Sequence, residues 1–341
     1  MIWQRKGAFT LQTKQWTMTE VDEQANIFIE EAAQLIREGE LIAFPTETVY
    51  GLGADAVNEQ AVQKIFQAKQ RPADNPLIAH VSSVQMIETL VKDIPPYVKQ
   101  LIKTFSPGPL TYVLKSNGTC ADSVTAGLET VAVRIPDHPI ALALINTFGR
   151  PIAAPSANLS GRPSPVTADH VCRDLSGAIA GILDGGPTGI GVESTVVDCT
   201  KRVPEILRYG AILEEDIQSV VGDVIAKQTE TRSDKYKHYQ PEVPIWLVHG
   251  SPGDVQSLIN QKRSAGYRIG VLGSEEYIEA LKGVAKFSLG KNLTEIAQSL
   301  YAGFRHFQKD TVDLVIIESF PKEGIGKTIM NRIEQAATKI I

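Results

Sequence analysis

A polar, charged stretch from Ala226 to Gln240, ending at Pro241 and Pro244, constrains this chain more than any other feature. It reads Lys-Gln-Thr-Glu-Thr-Arg-Ser-Asp-Lys-Tyr-Lys-His-Tyr-Gln after Ala226 and has no apolar periodicity. Such a stretch cannot bury itself, so it reads as a linker. A chain of 341 residues is long for one core, and this break divides it into two. The expected units are a lead-in over 1–18, a first domain over 19–222, a linker over 223–243 and a second domain over 244–341.

The two sides of the break differ in rhythm. Beyond it the pattern alternates: strand 245–248, helix 253–265, strand 268–272, helices 275–282 and 293–308, strand 313–317 and helix 326–338. That order predicts a small α/β unit with a parallel sheet. Before the break, Asp22 precedes an amphipathic helix that Gly39 stops. Asn58 caps a second helix carrying Ala61, Val62, Ile65 and Phe66. Strands are expected at 41–44, 77–81, 110–114, 131–135, 152–154, 195–197 and 205–207, with helices near 84–92, 96–105, 138–147 and 167–176. Alternation is not strict there, which favours an α/β domain with a mixed sheet.

Composition narrows the function. The formal charge of -5 argues against a general nucleic-acid coat protein, which would be basic. Cys120, Cys172 and Cys199 form no Cys-x-x-Cys pair, so neither a disulfide framework nor a zinc site is expected. No signal-peptide run or membrane span is evident, and the expected location is the cytoplasm. The histidines show no metal-ligand spacing. Gly324-Ile325-Gly326-Lys327-Thr328 lacks the first glycine of a P-loop, because that position is Pro321.

Several stretches can carry chemistry. Lys69-Gln70-Arg71-Pro72 places two cations at a helix end, followed by Asn75-Pro76-Leu77. Such a pair suits an anion, although basic residues also end helices by complementing the dipole. Phe44 to Gly53 runs from a buried strand into a loop with hydroxyls, a carboxylate and glycines that permit close backbone approach. Ala153-Ala154-Pro155-Ser156-Ala157-Asn158-Leu159-Ser160-Gly161-Arg162-Pro163-Ser164 runs from a strand into a hydroxyl- and amide-rich loop without the spacing of a nucleophile elbow. Arg134 and Arg208 each end an apolar strand, where a salt bridge or a ligand anion would serve equally as partner. Anion and hydroxyl binders abound while no nucleophile, metal cage or dinucleotide fingerprint stands out. That profile suits a reaction in which the protein positions substrates and neutralises charge, as in nucleotidyl transfer.

Taken in order, these stretches resemble the threonylcarbamoyl-AMP synthase family in its two-domain form. The matching residues are Pro-Thr-Glu-Thr-Val-Tyr-Gly-Leu-Gly (45–53), Lys-x-Arg-Pro-x-x-Asn-Pro-Leu (69–77), Pro-Gly-Pro-Leu-Thr (107–111) and Val-Arg-Ile-Pro (133–136). Pro-Ser-Ala-Asn-x-Ser-Gly (155–161), Glu-Ser-Thr-Val-Val-Asp (193–198) and Leu-Arg-x-Gly (207–210) follow, then Lys-Tyr-x-His-Tyr-x-Pro (235–241) and Met-Asn-Arg-Ile (330–333). The resemblance implies a twisted mixed-sheet, YrdC-like domain followed by a smaller Rossmann-like α/β domain. It further implies that L-threonine, bicarbonate and ATP become L-threonylcarbamoyladenylate and pyrophosphate. The product would pass to the transferase machinery that makes N6-threonylcarbamoyladenosine in tRNA; direct contact with tRNA is left open.

Carried over by position, Lys69 and Arg71 are the expected catalytic cations and hold the ATP phosphates, with Mg2+ accompanying the nucleotide and no dedicated protein ligands. Thr48, His80, Arg134, Ala154 and Ser194 are to surround threonine, Arg134 facing its carboxylate. Asn75, Thr130, Ser156, Asn158, Ser164 and Arg208 are to contact ATP, and Tyr239 is to fold back over it as a lid. Two departures stand out. Thr231-Arg232-Ser233-Asp234 replaces the family's usual Ser-Pro-Gly-Met, and Ser106 stands where an aromatic residue is common. A non-catalytic RNA-binding module is the alternative from another class, and a carbamoyltransferase using carbamoyl phosphate ranks behind both.

Overall fold

The structure, a computed structural model, describes residues 12–226 and 239–341. The Thr231–Asp234 departure and most of the Lys-Tyr-x-His-Tyr segment lie outside them. The first unit runs β1 (Lys14–Thr17), α1 (Glu23–Arg37), β2 (Ile42–Phe44), β3 (Gly51–Asp55), α2 (Glu59–Lys69), β4 (Ile78–His80), α3 (Val84–Glu88), α4 (Pro96–Phe105), β5 (Leu110–Lys115), α5 (Asp122–Thr125), β6 (Thr130–Arg134), α6 (Pro139–Phe148), β7 (Ile152–Ala154), α7 (Ala168–Leu175), β8 (Gly181–Asp184), β9 (Thr195–Asp198), β10 (Glu205–Arg208) and α8 (Glu214–Val221). The second adds β11 (Ile245–Val248), α9 (Pro252–Ser264), β12 (Ile269–Gly273), α10 (Glu275–Glu279), β13 (Ala285–Ser288), α11 (Leu293–His306), β14 (Leu314–Glu318), α12 (Ile325–Ala336) and β15 (Lys339–Ile340).

The first unit is a ten-stranded mixed sheet ordered β1-β8-β2-β3-β7-β4-β6-β5-β9-β10. The second is a five-stranded sheet ordered β13-β12-β14-β11-β15, parallel at every pairing. No helix among the described residues is long and apolar enough to cross a membrane.

Local chemistry sets the elements. The Asp22 side chain accepts from the Ala25 amide to start α1, and the Asn58 side chain accepts from Gln60 and Ala61 to start α2. Gly39 turns the chain after α1 with φ +80°. Strand residues two apart share a face, and the two faces of the large sheet have different covers. Leu41, Ala43, Ala79, Val131, Val133, Tyr112 and Leu114 pack against α2, α4 and neighbouring helices. Ile42, Phe44, Ile152 and Ala154 turn to the opposite face, where α1 and α6 cover only the β1-to-β7 half.

Two local expectations are corrected. Residues 14–17 of the lead-in form β1, an edge strand parallel to β8, because Trp16 is buried there as an anchor. The loop expected after Phe44 closes within residues 45–50, and Gly51–Asp55 returns as β3 antiparallel to β2. Its glycines serve packing. A Cβ on Gly53 would lie 2.8 Å from both Ile152 Cγ2 and Phe44 Cε1. Ser106, in place of an aromatic, shares a 2.9 Å hydrogen bond with the Tyr112 hydroxyl.

Candidate active site

Beyond β7 the face that α1 and α6 leave open floors a cavity of about 390 Å³. Ile78 and His80 of β4, Thr130, Ala132 and Arg134 of β6, Val113 of β5 and Val196 and Asp198 of β9 line it. These positions are spaced by two, so register alone delivers them to one side. The site therefore lies on a sheet face as well as at strand ends. Its roof comes from the loop 155–164, from Tyr239, and from Asn331, Arg332 and Gln335 on α12 of the second unit.

Every residue given an expected catalytic or binding role lines this one cavity. Lys69, the last residue of α2, is 1% exposed, and its Nζ donates to the carbonyls of Ser156 and Asn158. Burial, reinforced by nearby Arg71, pushes its ammonium well below the usual lysine range. Gln70 adopts a left-handed conformation (φ 52°) that turns the chain, and Arg71 Nη2 reaches the Pro76 carbonyl at 3.3 Å. The pair is thus fastened to the two loops that frame the cavity. Asn75 is buried just before β4, and Thr130 opens β6.

Arg134 and His80 face each other in register at the ends of β6 and β4. Arg134 Nε donates to the Gly108 carbonyl at 3.2 Å, and Nη1 donates to Thr48 Oγ1 at 3.0 Å. Nη2 lies 2.7 Å from Glu47 Oε1, a close ion pair whose angle falls outside hydrogen-bond geometry. Arg134 thus combines the two roles that the sequence left open, since it has a protein partner and also borders the cavity. Burial, with Arg134 adding to it, pushes His80 down to about 3, so its imidazole is neutral at ordinary pH. Ala154 ends β7, and Gly51 beside it leaves only 3.4 Å between an added Cβ and the Ala154 Cβ.

The second strand-end arginine is placed differently. Arg208 donates to the Ser194 carbonyl from Nε (3.1 Å) and Nη2 (2.9 Å), and from Nη2 to Ser194 Oγ at 3.1 Å. Thr111 Oγ1 lies 2.8 Å from the same hydroxyl. In the 155–164 turn, Ser156 Oγ donates to Asn158 Oδ1 at 2.5 Å, and Asn158 Nδ2 donates to the Arg162 carbonyl at 2.9 Å. Ser164 Oγ donates to Glu193 Oε1 at 2.7 Å.

Glu193 is the centre that the sequence did not single out. The Tyr301 hydroxyl lies 2.8 Å from both of its oxygens, and Arg332 Nε donates to Oε2 at 3.0 Å. Burial alone would raise this carboxyl, but Arg332, Arg208, Ser164 and Tyr301 outweigh it and hold it at about 2. Tyr239 stacks on Tyr301 with ring centroids 5.3 Å apart, and the Arg332 guanidinium lies 5.2 Å from the Tyr239 ring centroid. The next amide, Gln240, donates to the Gly161 carbonyl at 2.7 Å. One signal pointed to Arg332 in advance. It shares helical spacing with Thr328, Ile329 and Ala336, all buried, and a charge in such a stripe needs a partner.

Gly324 to Thr328, by contrast, opens α12 without cradling anything. Lys327 pairs with Glu214 at 3.2 Å, and Thr328 donates to the Gly210 carbonyl at 2.9 Å. Among the described residues no three His, Cys, Asp or Glu side chains converge as a metal cage.

Comparison with known proteins supplies the context. Residues 34–210 match a family described as telomere recombination (the Sua5, YciO and YrdC group), and residues 212–338 match the threonylcarbamoyl-AMP synthase C-terminal domain. A threonylcarbamoyl-AMP synthase of Bacillus subtilis is 48% identical over 340 residues, covering 96% of this chain and 98% of the relative. One from Pyrococcus abyssi is 46% identical, covering 90% and 93%. The crystal structure of P. abyssi Sua5 complexed with L-threonine superposes with a TM-score of 0.90 at 43% identity, covering 96% of this chain and 99% of that one.

Proposed function

This chain belongs to the threonylcarbamoyl-AMP synthase family, and we propose that the cavity over β4, β6, β5 and β9 is where it makes L-threonylcarbamoyladenylate and pyrophosphate from L-threonine, bicarbonate and ATP. The observation that carries the assignment is the polarity of the cavity along its strands. His80 and Arg134 mark the C-terminal ends of β4 and β6, whereas Asn75 and Thr130 sit at their starts, with Arg71 bonded beside them. Thr130 and Arg134 are separated by about 13 Å of strand. That length suits an amino acid at one end and a nucleotide phosphate at the other.

Arg134, with Thr48 and Ser194, takes the threonine carboxylate. Neutral His80 adds a hydrogen-bonding edge without a second positive charge. The threonine amine attacks the carbon of bicarbonate, water departs, and a carbamate forms. A carbamate oxygen then attacks the α-phosphorus of ATP, and pyrophosphate leaves. ATP enters as its magnesium complex, and Lys69 and Arg71 offset charge on the departing phosphates. Lys69 contributes most once an anion lies beside it, because the anion restores the charge that burial disfavours. Asn158, Ser156, Ser164, Arg208 and Tyr239 complete the nucleotide side. The product would be consumed by a transferase acting on tRNA in the cytoplasm.

The test is pyrophosphate release by the purified full chain. Release should require L-threonine and bicarbonate together. Release that ignores the absence of either one would refute the assignment.

A further inference from the structure

Arg332 belongs to α12 of the second unit, yet its guanidinium forms part of the wall of the first unit's cavity. It is 2% exposed. Nε donates to Glu193 and Nη2 donates to the Tyr209 carbonyl at 2.8 Å, while the Tyr239 ring lies against the guanidinium. Glu193 in turn accepts from Ser164, and the residue after it is Ser194, which Arg208 grips through carbonyl and hydroxyl. One side chain from the far domain therefore touches the supports of both Ser164 and Tyr239. The threonine end is built otherwise. Among the described residues Thr48, His80 and Arg134 draw their hydrogen bonds from the first unit, and Ser194, although it follows Glu193, is held by Thr111 and Arg208 of the same unit.

Charge explains what the contact does. A buried carboxylate left with neutral donors loses the counter-charge that offsets its desolvation. Without Arg332, Glu193 keeps neutral hydrogen bonds from Ser164 and Tyr301 and the more distant charge of Arg208, but loses the cation bonded to it. Tyr239 would at the same time lose the planar cation at its ring.

We propose that Arg332 is a positioning residue through which the second domain assembles the nucleotide side of the cavity, fixing Ser164 by way of Glu193 and holding Tyr239 directly. The proposal rests on the assignment of Ser164 and Tyr239 to ATP made above. Loss of Arg332 should weaken ATP binding while leaving the threonine end intact.

The experiment uses the full chain as wild type, Arg332→Lys, Arg332→Met and Arg332→Met with Glu193→Gln. Equilibrium binding of ATP and, separately, of L-threonine is measured together with the melting temperature. Wild type that binds no ATP would sink the cavity assignment itself, apart from this inference. With wild type binding, Arg332→Met should lose about tenfold or more in ATP affinity and keep L-threonine within about twofold, with Arg332→Lys between. The double variant removes the carboxylate together with the cation bonded to it, so its melting temperature should recover in part, yet its ATP affinity should stay low because Tyr239 still lacks its cation. An ATP affinity that recovers along with the melting temperature would show that Arg332 matters only for stability. ATP affinity unchanged in Arg332→Met, or ATP and threonine affinities falling together in the double variant, would overturn the proposal as well.

Discussion

The floor and the roof of the cavity are built on opposite plans. The floor is sheet, and register places its groups: His80 sits opposite Arg134, and Ile78 opposite Ala132. Its charged groups border the open space. The roof is assembled from a turn, Tyr239 and α12, and its charges are paired with one another across the domain boundary. Arg332 meets Glu193, and Arg305 meets Asp174 at 2.8 Å, which Arg162 also reaches. Val49, Val166 and Val192 of the first unit share a buried apolar cluster with Leu300, Phe304 and Ile329 of the second. The difference teaches a division of labour. On the proposed assignment the floor offers its cations to substrates, while the roof uses its cations to hold two domains in one register.

The largest expected effect separates the two plans at Lys69. Lys69→Met should lower pyrophosphate release by about a hundredfold or more, because a cation beside developing charge is removed. It also leaves the Ser156 and Asn158 carbonyls without their donor, at about 1–3 kcal/mol. A melting curve reports that second cost independently. Arg134→Gln comes next, raising the KM for threonine by about tenfold to a hundredfold while ATP binding persists. Steady-state titration of each substrate checks the split, and an equal rise in both KM values would erase the distinction between the two ends.

On the roof, Gly191→Ala should act from outside the cavity. An added Cβ at Gly191 would lie 2.4 Å from the Ala297 carbonyl oxygen and from Gln298 Cα in the second unit, at a φ of +82°. The variant should lose about 1–3 kcal/mol of stability from overpacking and strain. If docking of the domains governs the roof, the KM for ATP should rise in this variant more than the KM for threonine. Equal effects on both substrates would say that floor and roof respond as one body.

Legibility in the sequence divides along the same line. The floor was readable because local patterns build it: apolar strands, a helix capped by Asn58, cations at a helix end and arginines at strand ends. The parallel second sheet was readable too, from the regular alternation of strands and helices beyond residue 244. What could not be read were elements whose signal is tertiary. β1 is held by one buried tryptophan and by pairing with β8, far along the chain. β3 is rich in glycine because Phe44 and Ile152 fill the space above it, and glycine is a weak strand former in isolation. Glu193 looked like one motif residue among several. Its importance comes from Tyr301 and Arg332, which only folding brings near.

The smallest expected effect is also the most selective, since floor and roof should lose stability in different pH windows. His80 is held near 3, below its ordinary value of 6.5, so the unfolded chain takes up its proton first. Its contribution is complete above about 6.5 and is lost as the pH falls toward 3. Glu193 is held near 2, below its ordinary value of 4.5. Its contribution is complete above about 4.5 and is lost only as the pH falls toward 2. Each group can add at most one proton to the slope, or about 1.4 kcal/mol per pH unit. Urea midpoints followed from pH 7 downward should therefore show His80→Gln flattening the decline below pH 6.5, while Glu193→Gln, whatever its offset, leaves the slope unchanged until about pH 4.5. If Glu193→Gln flattened the curve already between pH 6.5 and 5, the carboxylate would not be held by its roof partners as the geometry requires, and the contrast between the two walls would lose its electrostatic basis.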